Sequence, residues 1–167
     1  MKKRLTLIQM DVHVNDVEYN YNRVQELLNQ ALSESPDIIV LPETWNTGFY
    51  PSTDLINIAD TNGDRTKALL SAFAKEHNVN IVGGSVAVAK DNLVFNTSYV
   101  YNRRGELVGE YSKMHGFSPA KEDKYFANGT HTTHFELDGI PCSTVICYDI
   151  RFPELVRMAA LPGTELL

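Results

Sequence analysis

The sequence predicts an α/β fold built on a mixed sheet, and three observations carry that expectation. Strand-like and helix-like patterns alternate from the N-terminus up to about Ala89. The run Asp37-Ile38-Ile39-Val40-Leu41 is short, β-branched and flanked by Pro36 and Pro42, as a strand buried on both faces should be. From Phe95 onward, extended runs follow one another across short turns, which is the spacing of antiparallel hairpins.

Each element has its own signal. The chain opens with an extended run, Arg4 to Val12, followed by Asn15 and then Glu18 three positions on, the arrangement of a capping box. Val17, Tyr21, Val24, Leu28, Ala31 and Leu32 then recur at spacings of three and four, one apolar face of a helix that Ser35-Pro36 ends. After the buried strand comes a loop from Pro42 to about Thr61, and a second helix from about Asp64 to His77. Val79 to Ala89 reads as a strand, with Gly83-Gly84 inside it marking a bulge or a close backbone approach. Phe95 to Asn102 and Leu107 to Tyr111 form a hairpin around Arg103-Arg104-Gly105, and residues 114–129 read as irregular. Thr132 to Leu137 and Pro141 to Ile146 flank the turn Asp138-Gly139-Ile140, and a last helix runs from about Phe152 to Leu161, ended by Pro162-Gly163.

The bulk numbers exclude several classes of function. With 167 residues the chain can bury one sizeable core but not two. Charged residues make up 22% and hydrophobic ones 43%, an ordinary globular balance. Fifteen basic against 21 acidic residues, a net charge of -6, leave no footprint for nucleic acid or an anionic membrane. Met-Lys-Lys-Arg resembles the start of a signal peptide, but Thr6, Gln9 and Asp11 interrupt the apolar run that would have to follow. No stretch approaches the length of a membrane span. The expectation is a cytoplasmic protein. Cys142 and Cys147, five apart, would face opposite sides of one strand, so a disulfide between them is not expected.

Three stretches put reactive groups at strand ends. In "LPETW" Glu43 lies two residues past the buried strand, where open α/β sheets place ligand sites. In "YSKMHGF" Lys113 follows a strand and precedes an apolar loop. In "ICYDIRFPE" Cys147 stands between an extended run and a helix start, where a helix N-terminus would favour its thiolate. Alone, each has a plain structural explanation: a solvated glutamate, a surface lysine, an inert buried thiol. Together they form a self-consistent set in which a carboxylate takes a thiol proton and an ammonium holds developing negative charge. His115 is a rival base. His131 and His134, three apart on a strand, face opposite sides and have no thiol or acid to complete a zinc set, so no metal is expected. Trp45, Phe49 and Tyr50 either wall a substrate pocket or pack the loop against the sheet.

These stretches give the chain a likeness to a known family. "DIIVLPETWNTGF", "GEYSKMHGF" and "GIPCSTVICYDIRFPELVRMAALPGTELL" resemble, in order, the glutamate, lysine and nucleophile stretches of the nitrilase superfamily of carbon–nitrogen hydrolases. The resemblance implies an α-β-β-α sandwich and a catalytic Glu43–Lys113–Cys147 triad, with no cofactor. It also implies a second glutamate that positions the ammonium, matched by Glu122 in "SPAKEDKYFANG", where Tyr125-x-x-x-Gly129 follows. Tyr148, Trp45 and Phe49 become substrate-binding candidates, Tyr148 through its backbone N–H as a second oxyanion donor. "LPETWNTGF" and "CYDIRFPEL" look most like the amidase branches, including omega-amidase-like members, so a small amide and water are the expected substrates and nitrile hydrolysis is the alternative. Because the family's catalytic domain continues beyond the nucleophile helix, the resemblance implies that residues 1–167 span an incomplete domain. It implies a homodimer or higher oligomer when full-length. A truncated, non-catalytic product acting through association is the alternative from another class.

Overall fold

The computed structural model describes residues 2–167. Seven strands form one mixed sheet: β1 (Leu5–Leu7), β2 (Ile38–Val40), β3 (Asp60–Thr61), β4 (Asn80–Val82), β5 (Val86–Lys90), β6 (Leu93–Tyr101) and β7 (Leu107–Ser112). β1, β2 and β4 run parallel, joined by the crossover helices α1 (Val17–Ala31) and α3 (Asp64–His77). β6 then pairs antiparallel with β4, β5 and β7. The alternation legible in the first half and the hairpins of the second half thus meet in a single sheet.

Both helices cover one face. Tyr21, Val24 and Leu28 of α1 and Leu70, Phe73 and Ala74 of α3 pack on Ile39, Ile81, Val88 and Tyr99 of the strands. On the other face lies a separate two-stranded sheet, β8 (His134–Leu137) and β9 (Ile140–Ser143). Leu137 and Cys142 bury there against Ile38 and Val100. Helix, sheet and second sheet form three successive layers, which agrees with the mixed α/β class expected.

The departures from the expected elements have local causes. The first strand stops at Leu7. α1 is capped by Asp16, whose carboxylate accepts from the Tyr19 N–H, while Asn15 is a turn residue with φ 62° and Glu18 pairs with Arg65 across to α3. The loop after Pro42 contains α2 (Leu55–Ile58) and the edge strand β3. Val79 to Ala89 is two strands rather than one, broken at Gly83-Gly84, and both pieces pair along the same edge of β6. Residues 114–129 include the short α4 (Glu122–Tyr125), and the last helix, α5, is Pro153–Ala160. Among the described residues no helix is long and apolar enough to cross a membrane.

Candidate active site

Glu43 is delivered by a loop held to the sheet by backbone hydrogen bonds on either side of it. Leu41 N–H donates to Val82 O at 3.0 Å, Ser85 N–H to Pro42 O at 3.0 Å and Trp45 N–H to Ser85 O at 3.1 Å, so the loop extends the ladder past the end of β2. Gly84 makes this possible. Its φ is +58°, and a Cβ there would stand 2.0 Å from Pro42 O and 2.5 Å from Leu41 O. Thr44 to Thr47 are all buried, and the Trp45 indole N–H donates to Gly83 O at 2.9 Å with its ring edge-on to Tyr21. Of the two readings open for Trp45, packing the loop onto the sheet is the one the geometry matches.

Lys113 follows β7 directly. Its N–H donates to Asn96 O at 2.9 Å and its carbonyl accepts from Gly129 N–H at 2.8 Å, which pins the backbone from both sides. The side chain is 3% exposed. Nζ lies 2.8 Å from Glu43 Oε1 and 2.8 Å from Glu122 Oε2. Burial alone would lower the affinity of this ammonium for its proton; the two carboxylates outweigh that effect and raise its pKa above the ordinary lysine range. Glu122 opens α4, is 1% exposed, and accepts the Phe117 N–H through the same Oε2.

Cys147 completes the group, with two differences from the expected setting. It starts a five-residue 3-10 turn, Cys147–Arg151, four residues beyond β9 and well before α5. Its φ of 47° is left-handed, a conformation that costs a non-glycine residue about 1–3 kcal/mol and occurs at sites that over-determine it. The expectation of a thiolate favoured by a helix N-terminus is also corrected. Partial burial of a residue that is otherwise exposed, the Glu43 charge and a hydrogen bond to that carboxylate push the thiol up to about 11, with Lys113 pulling the other way. The sulfur therefore holds its proton more tightly than an ordinary cysteine does.

Behind the turn lies a residue that sequence reasoning missed. Asp149, fully buried, accepts from Tyr111 Oη at 2.7 Å and from the Ile146 N–H at 3.1 Å through Oδ2, and from the His115 N–H at 2.9 Å through Oδ1. One carboxylate therefore ties β7, the loop after Lys113 and the residue before Cys147 together. An acid two residues after the candidate nucleophile was the available signal. Asn96 was missed as well, although an asparagine in the strand run "LVFNTSYVY" is unusual enough to notice.

The aromatic candidates divide. Phe49 is half-buried, 6.4 Å between centroids from Phe117, which meets Tyr148 edge-on at 5.1 Å; Tyr148 in turn meets Phe152 at 5.6 Å. Phe49 and Tyr148 thus belong to one aromatic row beside the lysine loop and the cysteine turn, whereas Trp45 does not. As second residue of its turn, Tyr148 has a backbone N–H with no intrahelical carbonyl to meet. His131 and His134 are exposed, and no group of three metal-ligating side chains comes together among the described residues. Cys142 is buried in β9 and Cys147 is exposed; both are free thiols.

A family model described as carbon–nitrogen hydrolase matches residues 4–167. The 2-oxoglutaramate amidase of Bacillus subtilis (strain 168) is 38% identical over 167 residues, 100% of this chain and 64% of that protein. An omega-amidase of Danio rerio is 31% identical, over 99% of this chain and 62% of its own. A carbon–nitrogen hydrolase superfamily protein from Xanthomonas campestris superposes with a TM-score of 0.81 at 30% identity, covering 91% of this chain and 56% of that one. An amidase from Nesterenkonia sp. shares the fold, with a TM-score of 0.85 at 22% identity over 98% of this chain and 63% of that one. The chain spans a little under two thirds of the length of these curated relatives.

Proposed function

The chain belongs to the carbon–nitrogen hydrolase family, and from that premise we propose that it hydrolyses the C–N bond of a small amide through a thioester on Cys147. The observation that carries the proposal is the convergence on Lys113 Nζ of Glu43 Oε1 and Glu122 Oε2, each at 2.8 Å, with the Cys147 thiol against Glu43.

Glu43 is the base. Its carboxylate takes the Sγ proton as sulfur attacks the amide carbonyl carbon, and the oxygen of the tetrahedral adduct gathers the negative charge. Lys113 Nζ and the Tyr148 backbone N–H stabilise that oxyanion. Glu43 then returns its proton to the amide nitrogen, the C–N bond breaks and ammonia leaves. In the second half Glu43 removes a proton from water, the oxygen adds to the thioester carbon, and collapse releases the carboxylic acid with the proton returned to sulfur. Glu122 keeps Lys113 charged and aimed while the charge of Glu43 changes. A resting thiol suits this scheme, because the proton moves only when substrate is in place.

The named activities of the relatives favour the terminal amide of a short 2-oxo dicarboxylic acid as substrate. Ammonia release from 2-oxoglutaramate, glutamine, simple aliphatic amides and the matching nitriles tests this directly. Turnover of the 2-oxo amide, lost in Cys147→Ala, is the expected result. Turnover of nitriles alone would overturn the amide assignment, and no turnover of any of them would favour a non-catalytic role.

A further inference from the structure

Glu43 has a neutral partner that the triad does not include. Asn96 lies in β6, is 1% exposed, and donates from Nδ2 to Glu43 Oε1 at 3.0 Å. Its own backbone carbonyl accepts the Lys113 N–H at 2.9 Å, and its backbone is paired with Ala87 of β5. One residue in the middle of the sheet therefore holds the base by its side chain and the lysine by its main chain.

The two oxygens of Glu43 are not equivalent. Oε1 takes both Asn96 Nδ2 and Lys113 Nζ, and neither of these donors is bonded to Oε2. A carboxylate rotates readily about its terminal torsion, so a single contact from the lysine would leave the two oxygens free to exchange. Two donors on one oxygen, from β6 and from the end of β7, fix the plane of the carboxylate.

We propose that Asn96 is a positioning residue of the reaction: with Lys113 it locks Glu43 through Oε1 and so makes Oε2 the oxygen that shuttles the proton between Sγ, the leaving nitrogen and water. This rests on the reading of Glu43 as the base. The charged and titratable groups facing Glu43 are Lys113 and Cys147, with Glu122 beyond the ammonium. Asn96 adds a hydrogen bond to the carboxylate without adding a charge.

The test is the pH profile of kcat/KM for Asn96→Ala and the near-isosteric Asn96→Asp, alongside wild type and Glu43→Gln. Asn96→Ala is expected to lower kcat about 10–100-fold, the range of one positioning contact, with KM within about threefold. Its acidic limb moves to higher pH, since a donor to the charged form is gone. Asn96→Asp moves that limb further in the same direction, because a second carboxylate then faces Glu43. A merely structural asparagine would lower the amount of active enzyme and leave the limb where it is. An unmoved limb in Asn96→Asp, with Glu43→Gln inactive, overturns the role of Asn96 alone. An active Glu43→Gln overturns the base assignment and this inference with it.

Discussion

His115 and Asp149 meet twice at one oxygen: the His115 N–H donates to Asp149 Oδ1 at 2.9 Å, and His115 Nδ1 lies 2.8 Å from the same atom. An ionised carboxylate only accepts, so Nδ1 carries a hydrogen whatever the charge on the ring. The ring also stacks on Phe152, 3.6 Å between centroids. His115 is thereby committed to the architecture of the turn, and the groups acting most strongly on the Cys147 thiol are Glu43, Lys113 and Glu122.

His115→Ala is accordingly expected to keep kcat within about tenfold of wild type, well short of the 10²–10⁴-fold that a general base supplies. Asp149→Ala should behave differently, leaving Tyr111 Oη and two N–H groups without their acceptor in a fully buried place. A loss of at least about 3 kcal/mol in urea unfolding is expected, because breaking a buried charged network costs that much. A His115→Ala enzyme as dead as Glu43→Gln would make the histidine the base.

The order of elements was legible, and Glu43, Lys113 and Cys147 could be picked out as candidates, because both rest on short-range signals: proline-bounded strands, helical spacing in α1, and single carboxylate, ammonium and thiol groups shortly after extended runs. What could not be read depends on distant contacts. The break at Gly83-Gly84 follows from the approach of Leu41 and Pro42, more than forty residues away in sequence. Trp45 reads equally as pocket or core until Gly83 and Tyr21 are seen to enclose it. The state of the Cys147 thiol depends on a balance that spacing does not give: partial burial and the charge of Glu43, a carboxylate the sequence already pairs with it, outweigh the pull of Lys113.

The corrected thiol gives a pH prediction with a definite sign. A thiol held up to about 11 reacts through a small thiolate fraction at neutral pH. Alkylation of Cys147 by iodoacetamide should therefore rise about tenfold per pH unit from pH 7 and level off only near 11. Glu43→Gln removes the charge that opposes the thiolate, so the midpoint should fall while turnover is lost. Replacing Lys113 with methionine should raise it. A flat profile from pH 7 upward would mean a preformed thiolate.

Lys113→Met should lower kcat about 10²–10³-fold, some 3–4 kcal/mol, as loss of a main oxyanion donor does. The measurement is steady-state ammonia release, with a thermal melt to establish that the variant is folded. A change confined to KM would assign the lysine to binding rather than to the transition state.

Gly84→Ala tests how the loop is held. The new Cβ meets two carbonyl oxygens of the backbone leading to Glu43, in a left-handed conformation that itself costs about 1–2 kcal/mol. A destabilisation of more than about 2 kcal/mol, or a folded protein with sharply reduced kcat, is expected. Wild-type stability and activity together would show that the Glu43 loop does not depend on this approach.

The central claim, that Cys147 carries the acyl group, is tested most directly by mass spectrometry of enzyme quenched in acid during turnover of a slow amide. The account predicts an intact mass raised by the acyl group, mapped to the peptide containing Cys147 and released by hydroxylamine. Ammonia release with no such adduct, or undiminished release from Cys147→Ala, would contradict it.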